Sequence, residues 1–371
     1  MRFPGFEGEW ESCELGEIAE LSKGAGISKD QRSSDGNPCI LYGELYTTYL
    51  TEIIDEVVSK TNLDPTGLVK SKANDIIIPA SGETAIDIST ARFVLHDDVL
   101  LGGDLNIIRL NEQDGKFFSY QLNGVRKKDI ARIAHGVSIV HLHGNALSHI
   151  VVNYPSRREQ EKISSLLSLI DQRIAIQNKV IEKYESLIKA LYRQLIPEDA
   201  DKRAALGTLV QICKGKQLNG EFLSDDGKYY VMNGGIMPSG YYYDYNTPAG
   251  TISISEGGNS CGFVQYNEAP FWSGGHCYTL LQTSDERIQY KFLYHVLKSK
   301  QEDIMSLRIG SGLPNIQKKD LGSYPVPILP YNYQIAITKI LDAVCQHIEI
   351  ERAIFNGITL QKQYLLQALL I

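Results

Sequence analysis

Two stretches of this chain carry the same long apolar seam, 174 residues apart, and that duplication constrains the fold more than any other feature. The first runs Ile163, Leu167, Ile170, Ile174, Gln177, Ile181, Tyr184, Ile188, Leu191, Leu195. Steps of four and three alternate without a slip, the period of a coiled coil. Adding 174 gives Ile337, Leu341, Val344, Ile348, Glu351, Phe355, Ile358, Lys362, Leu365, Leu369. The polar interruption at Gln177 recurs as Glu351, and Lys362 in place of Ile188 is a further departure. A polar residue on such a seam sets register at some cost in stability.

The first stretch reads as one helix from about Ser156 to Ile196. Ser156-Arg157-Arg158-Glu159 has capping-box spacing, and Pro197 stops the helix. In the second, Asn356-Gly357 costs about 1 kcal/mol against better helix formers and is a candidate kink. A helix of some 40 residues is roughly 60 Å long. To bury its seam, the second must run back beside the first. The expected pair is antiparallel, with one globular domain at each end and an approximate two-fold axis between them.

The repeat extends beyond the helices. Gly16-Glu17-Ile18-Ala19-Glu20-Leu21-Ser22-Lys23-Gly24 lines up with Gly207-Thr208-Leu209-Val210-Gln211-Ile212-Cys213-Lys214-Gly215. Gly102-Gly103 echoes Gly274-Gly275, Phe118-x-Tyr120 echoes Phe292-x-Tyr294, and Asp129-Ile130 with Gly136 matches Asp303-Ile304 with Gly310. Five such blocks in one order argue for duplication. Each half begins with a mixed region holding short β-like runs: Ile76–Ile78 and Leu105–Ile108, then Thr251–Ile254 and Tyr278–Leu281. A helix-like stretch follows, around 117–133 and 287–307. A Pro-bearing segment, Val151–Pro155 or Tyr324–Pro330, closes each domain. The expected fold is mixed α/β (α+β), with domains over 1–155 and 198–330 and long helices over 156–197 and 331–371.

The length of 371 residues suits two domains with real cores. No apolar run is long enough to cross a bilayer, and Met1–Gly8 has no apolar signal core. The six scattered cysteines lack a Cys-x-x-Cys pair, which argues against a zinc site or disulfide scaffold and for a reducing cytoplasm. Net charge is −7. Residues 1–155 carry 14 basic and 22 acidic side chains, a net of −8, whereas 156–196 carry 8 and 5, a net of +3. A nucleic-acid partner would therefore be held by local basic loops.

No phosphate-binding loop or amino-methyltransferase signature is present, and Lys23-Gly24-Ala25-Gly26 is too short for a dinucleotide fingerprint. His135, His141, His143 and His149 are the strongest metal candidate, since His-x-His on a strand puts both rings on one face. With no acidic or Cys ligand near them in sequence, exposed or satisfied histidines explain them better. Solvated turns explain Asp97-Asp98 and Asp225-Asp226, and a solvated helix face explains Arg126-Lys127-Lys128. Tyr241–Tyr245 could stack on nucleic acid or form a partner surface.

The duplicated set resembles the specificity subunit of type I restriction–modification systems, over essentially the whole chain. It is carried by Lys23-Gly24 and Lys214-Gly215, by Gly310-Ser311-Gly312-Leu313-Pro314-Asn315-Ile316 leading to Leu321, by Pro325-x-Pro327 with Gln334, by Pro155 with Glu159-Gln160, and by Arg2–Phe6 with Trp10. The first half departs at Gly136-Val137-Ser138-Ile139, which lacks the Pro-Asn-Ile end. The resemblance implies two target recognition domains, each reading one half of a split double-stranded DNA sequence. The helices would set the unread gap and dock two methyltransferase subunits, which bring S-adenosylmethionine. It leaves room for a restriction (translocase–nuclease) subunit. It implies no catalysis on this chain, with the cofactor bound by the partner.

Base readout needs polar side chains on loops that reach a groove, and phosphates need Lys and Arg. The repeat nominates Lys23, Lys29 and Arg32 with Lys214, Lys216, Gln217 and Asn219. It adds Ser81 and Thr84 with Asn259 and Ser260, then Arg308, Ser311 and Asn315. The acidic charge keeps a rival open, a protein-binding scaffold without DNA readout.

Overall fold

The computed structural model describes residues 2–197, 200–310, 312 and 314–370. The chain forms two compact units, Met1–Asn178 with Ala353–Ile371, and Lys179–Arg352. Both boundaries fall inside the long helices, so each helix contributes one stretch to each unit. The helices span Arg157–Leu195 and Tyr331–Leu369, 39 residues apiece, and both ends keep the offset of 174. The second continues as helix through Asn356 and Gly357.

In the first unit the main sheet runs Ala19–Lys23, Leu105–Leu110, Ile76–Pro79, Arg92–Val94 and Ile53–Ile54, with only the last pair parallel. Ile76, Ile77 and Ile78 are all fully buried, as expected of a strand covered on both faces. A small sheet sets Asn37–Ile40 antiparallel to Ser59–Thr61 and parallel to Leu100–Leu101. Glu11–Glu14 pairs with Val151–Tyr154, tying the start of the domain to the segment that leads into the helix.

The second unit repeats this plan in the same chain order. Its main sheet runs Val210–Lys214, Cys277–Gln282, Thr251–Ser255 and Val264–Asn267. Its small sheet sets Tyr229–Met232 antiparallel to Tyr241–Tyr242 and parallel to Trp272–Ser273. Arg203–Ala205 pairs with Pro325–Pro327. The first unit differs by its added parallel edge strand, Ile53–Ile54.

The expected helical stretches are each two helices, Gly115–Asn123 with Lys127–Arg132, and Tyr290–Ser299 with Gln301–Ser306. The break in the first falls at Gly124, whose backbone leaves helical angles (ψ −104°). Arg126 and Lys127 are half-buried rather than solvated, and the Lys127 ammonium lies 3.3 Å from the Thr90 hydroxyl. The capping box also fails. The Glu159 carboxylate is buried, accepts from the Phe3 N–H (3.2 Å) and meets Arg2 (2.8 Å), so it does not turn back to Ser156.

All the seam residues are buried or half-buried. In the first unit Ile163 and Leu167 share a core with Leu369, and Asp171 meets Lys362. In the second, Ile188 shares a core with Ile337, Leu341 and Ile348. There Tyr184 stacks on His347 (5.6 Å) and Glu185 pairs with Arg352. In the first unit higher positions on one helix meet lower positions on the other, so the pairing there is antiparallel.

Lys362, the departure from the apolar seam, has a physical explanation. Its ammonium lies 2.6 Å from both Glu52 Oε2 and Asp171 Oδ1, and the Tyr120 hydroxyl donates to Asp171 Oδ2 (2.6 Å). The three ionic side chains are only 14, 10 and 9% exposed. Burial and then Glu52 push the Asp171 carboxyl above its ordinary range, against the pull of Lys362.

Candidate nucleic-acid interface

Each unit builds one corner from the same parts. The strand Ala19–Lys23 ends at Gly24, whose N–H donates to the Leu105 carbonyl (2.9 Å). A Cβ on Gly24 would stand 2.1 Å from the Gly102 carbonyl oxygen. In the second unit the Gly215 N–H donates to the Cys277 carbonyl (2.9 Å), and a Cβ there would stand 2.2 Å from the Gly274 oxygen. The Lys-Gly and Gly-Gly signatures are therefore one feature, a backbone approach that admits no side chain. It leaves Lys23 and Lys214 exposed at the rim.

A strand-end loop and a hairpin complete each corner. In the first unit the Leu142 N–H donates to the Ala80 carbonyl (2.9 Å), Ser81-Gly82 pairs with Val140-His141, and His135 and His141 exchange both backbone bonds (2.9 and 2.7 Å). In the second, the Ile316 N–H donates to the Glu256 carbonyl (2.9 Å), Gly257 bridges to Asn315, and Ile309 and Asn315 exchange both bonds (2.8 and 3.0 Å). A shallow groove lies beside each corner. One of about 490 Å³ is lined by Lys23, His143 and Asn145, and one of about 590 Å³ by Gln211, Lys318 and Lys319.

The structure sorts the nominated residues. Lys23, Lys29, Lys216, Gln217, Asn219, Asn259, Arg308 and Asn315 are exposed, and Ser260 is half-buried. Arg32 stands 3.5 Å from Glu44. Lys214 is held 2.7 Å from Glu256 Oε1, which also accepts from the Tyr278 hydroxyl (3.1 Å). Burial, then Glu256, push that phenol up to about 12. One nomination is corrected, and a second already has partners. Ser81 is only 6% exposed because it sits in the strand pair with His141. The Thr84 hydroxyl is committed as the cap of Ala85–Ile88, accepting from the Asp87 N–H (3.1 Å) and donating to the Asp87 carboxylate. Ser311 lies outside the described residues.

His135, His141, His143 and Gln317, which the repeat does not nominate, are also exposed at these corners. The offset of 174 held the signal, since it places His141 on Asn315. Among the described residues no group of three or more His, Cys, Asp or Glu could hold a metal. His149 Nδ1 instead lies 2.8 Å from Glu14. Among the same residues no helix is long and apolar enough to cross a membrane.

A family profile described as the type I restriction modification DNA specificity domain matches residues 7–186 and 199–360. A protein of Mycoplasma pneumoniae named as a type I specificity subunit is 40% identical over 127 residues, 34% of this chain and 34% of that protein. One of Mycoplasma genitalium with the same description is 34% identical over 148 residues, 40% of this chain and 38% of its own. The chain thus spans little more than a third of these two relatives. A protein of Methanocaldococcus jannaschii, named as the specificity subunit of the type I restriction enzyme MjaX, is 23% identical over 410 aligned positions, covering 98% of this chain and 93% of that one. Among solved structures, the S subunit of a type I restriction–modification system from M. genitalium shares the fold. The superposition has a TM-score of 0.76 at 21% identity and covers 100% of this chain and 99% of that one.

Proposed function

The chain belongs to the type I restriction–modification DNA specificity family, and on that premise we propose that its two units each read one half of a split duplex sequence. The observation that carries this reading is the repeated corner. Two backbones of one design, each with a lysine at the rim and a hairpin beside it, present unlike side chains. Equivalent frames with unlike polar groups suit two unlike half-sites, the lysines holding phosphates and the hairpins facing bases.

In this reading the chain is the recognition component, and the chemistry belongs to partners. The long helices keep apolar side chains outside the seam. Ile176 and Ile350 share a repeat position and are exposed, as are Leu169, Leu187, Ile340 and Ile354. Exposed apolar residues along a helix pair mark a protein-docking face. Two methyltransferase subunits carrying S-adenosylmethionine would dock there, with a restriction subunit joining such a complex. Their basic groups would add the phosphate contacts that a chain of net charge −7 supplies sparingly.

Co-expression with the methyltransferase partner in a methylation-free host, followed by genome-wide mapping of methylated bases, tests this. The expected result is one motif of two unlike half-sites at a fixed gap. A contiguous motif, or none, would overturn the reading.

A further inference from the structure

His135, His141 and His143 share an outward face that the fold does not use. His135 and His141 exchange both backbone bonds, which sets their side chains on one side of the hairpin. Leu142 is fully buried between His141 and His143, which turns the two flanking imidazoles outward. The hairpin reaches into solvent: Val137 is 98% and Ile139 59% exposed, and Gly136 holds φ +128° at the turn.

The second unit opposes the same repeat positions with other chemistry. Gly310 holds φ +103°, Ile309 and Asn315 exchange both bonds, and Ile316 is fully buried between Asn315 and Gln317. Positions 309, 315 and 317 carry Ile, Asn and Gln where the first unit carries three histidines. The Gln317 side-chain amide donates to Asn315 Oδ1 (2.9 Å), so the two amides act as a pair. Equivalent backbone pairings beside the Lys-Gly corners thus differ where they face outward.

We propose that this hairpin edge determines specificity, with His141 and His143 facing the bases of one half-site and Asn315 and Gln317 those of the other. The inference rests on the DNA-reading function proposed above. A carboxamide presents a donor and an acceptor side by side, the pattern that pairs with adenine N6 and N7. An imidazole presents ring N–H donors suited to lone acceptors such as purine N7 or guanine O6. Exchanging one set for the other changes which base is favoured.

The test grafts each set onto the other unit in the full chain, co-expressed with its methyltransferase: His141→Asn with His143→Gln, and separately Asn315→His with Gln317→His. Methylated bases are mapped and the melting temperature of each purified chain is measured. Each graft should lower methylation of the original target by about tenfold or more, move preference to new bases in one half-site, and leave the other half-site as it was. The two grafts should affect opposite halves. Variants that melt like the parent yet methylate its target undiminished would overturn the proposal, as would equal loss at every sequence, which would mark the hairpins as phosphate contacts. If one graft fails to fold, the other decides. A parent chain that directs no split motif would instead refute the underlying function.

Discussion

Gln160 and Gln334 make the same bonds at the same place in the repeat. Each is fully buried in the first turn of a long helix. The side-chain N–H of Gln160 donates to the Pro155 carbonyl (2.8 Å), and its oxygen accepts from the N–H of Asp114, the cap of Gly115–Asn123. Gln334 donates to the Leu329 carbonyl (2.7 Å) and accepts from the N–H of Gln289, the cap of Tyr290–Ser299. One side chain thus ties the long helix, the segment that enters it and the domain helix together. Replacing either by Ala orphans a buried N–H and should cost about 1–3 kcal/mol in chemical denaturation. No change in either variant would show that these bonds do not hold the junction.

Lys362→Met should cost about 3–5 kcal/mol, because it leaves Glu52 and Asp171 buried without their cation. The pH dependence follows from the raised Asp171 carboxyl. A raised folded-state value favours the protonated form, so that group supports folding most below about pH 3.9 and loses this support as pH rises through its folded value. For Lys362 burial pulls the value down, but Glu52 and Asp171 outweigh it and raise it, so its support is lost only above about pH 10.4. Removing the lysine raises the carboxyl further, so the variant's deficit should shrink between pH 8 and pH 5. Urea unfolding at the two values measures this, and a deficit independent of pH would contradict it.

His295 gives the second unit an opposite response. It is fully buried, with Nε2 2.9 Å from Asp342 and Nδ1 3.3 Å from the Tyr192 hydroxyl; Lys291 faces the same carboxylate. Burial lowers its value, and the bond to Asp342 restores only part of the loss. A depressed folded value means the stabilising contribution is present above about pH 6.5 and lost as pH falls through the folded value. Melting temperature should therefore drop between pH 7 and pH 5, and His295→Gln should flatten the drop. An equally steep profile in the variant would refute the assignment.

Lys23 and Lys214 occupy equivalent positions, and the Lys214 ammonium is held 2.7 Å from the Glu256 carboxylate. Each phosphate contact contributes about 0.9 to the slope of log affinity against log salt. Lys23→Ala in the assembled complex should lower the slope by about 0.9, and Lys214→Ala by less. Titrations over a salt series compare the two, and equal drops would show that Glu256 releases the lysine on DNA.

The helix seam was legible because a 3.5-residue period needs only local spacing, and the duplication because its offset persists. What escaped was long-range. Lys362 looked like a flaw in the seam because Asp171 and Glu52 lie far from it in sequence. Nothing near Ser81 signals that a hairpin sixty residues on will bury it. The Gly-Gly echo was visible, but not that Gly24 and Gly215 press against it. The Thr84-x-x-Asp87 spacing is a cap signal that could have been read. The histidines lack acidic or Cys ligands near them in sequence, and their other signal is the offset, which aligns His141 and His143 with Asn315 and Gln317.

In the proposed function each unit reads one half-site of a single target, which gives that target one unread gap length. Binding of the assembled complex to a duplex carrying its mapped target, compared with duplexes whose unread gap is lengthened or shortened by one base pair, tests this most directly. Affinity should fall by at least about tenfold for either change, with both half-sites intact. Equal affinity for all three duplexes would contradict the account.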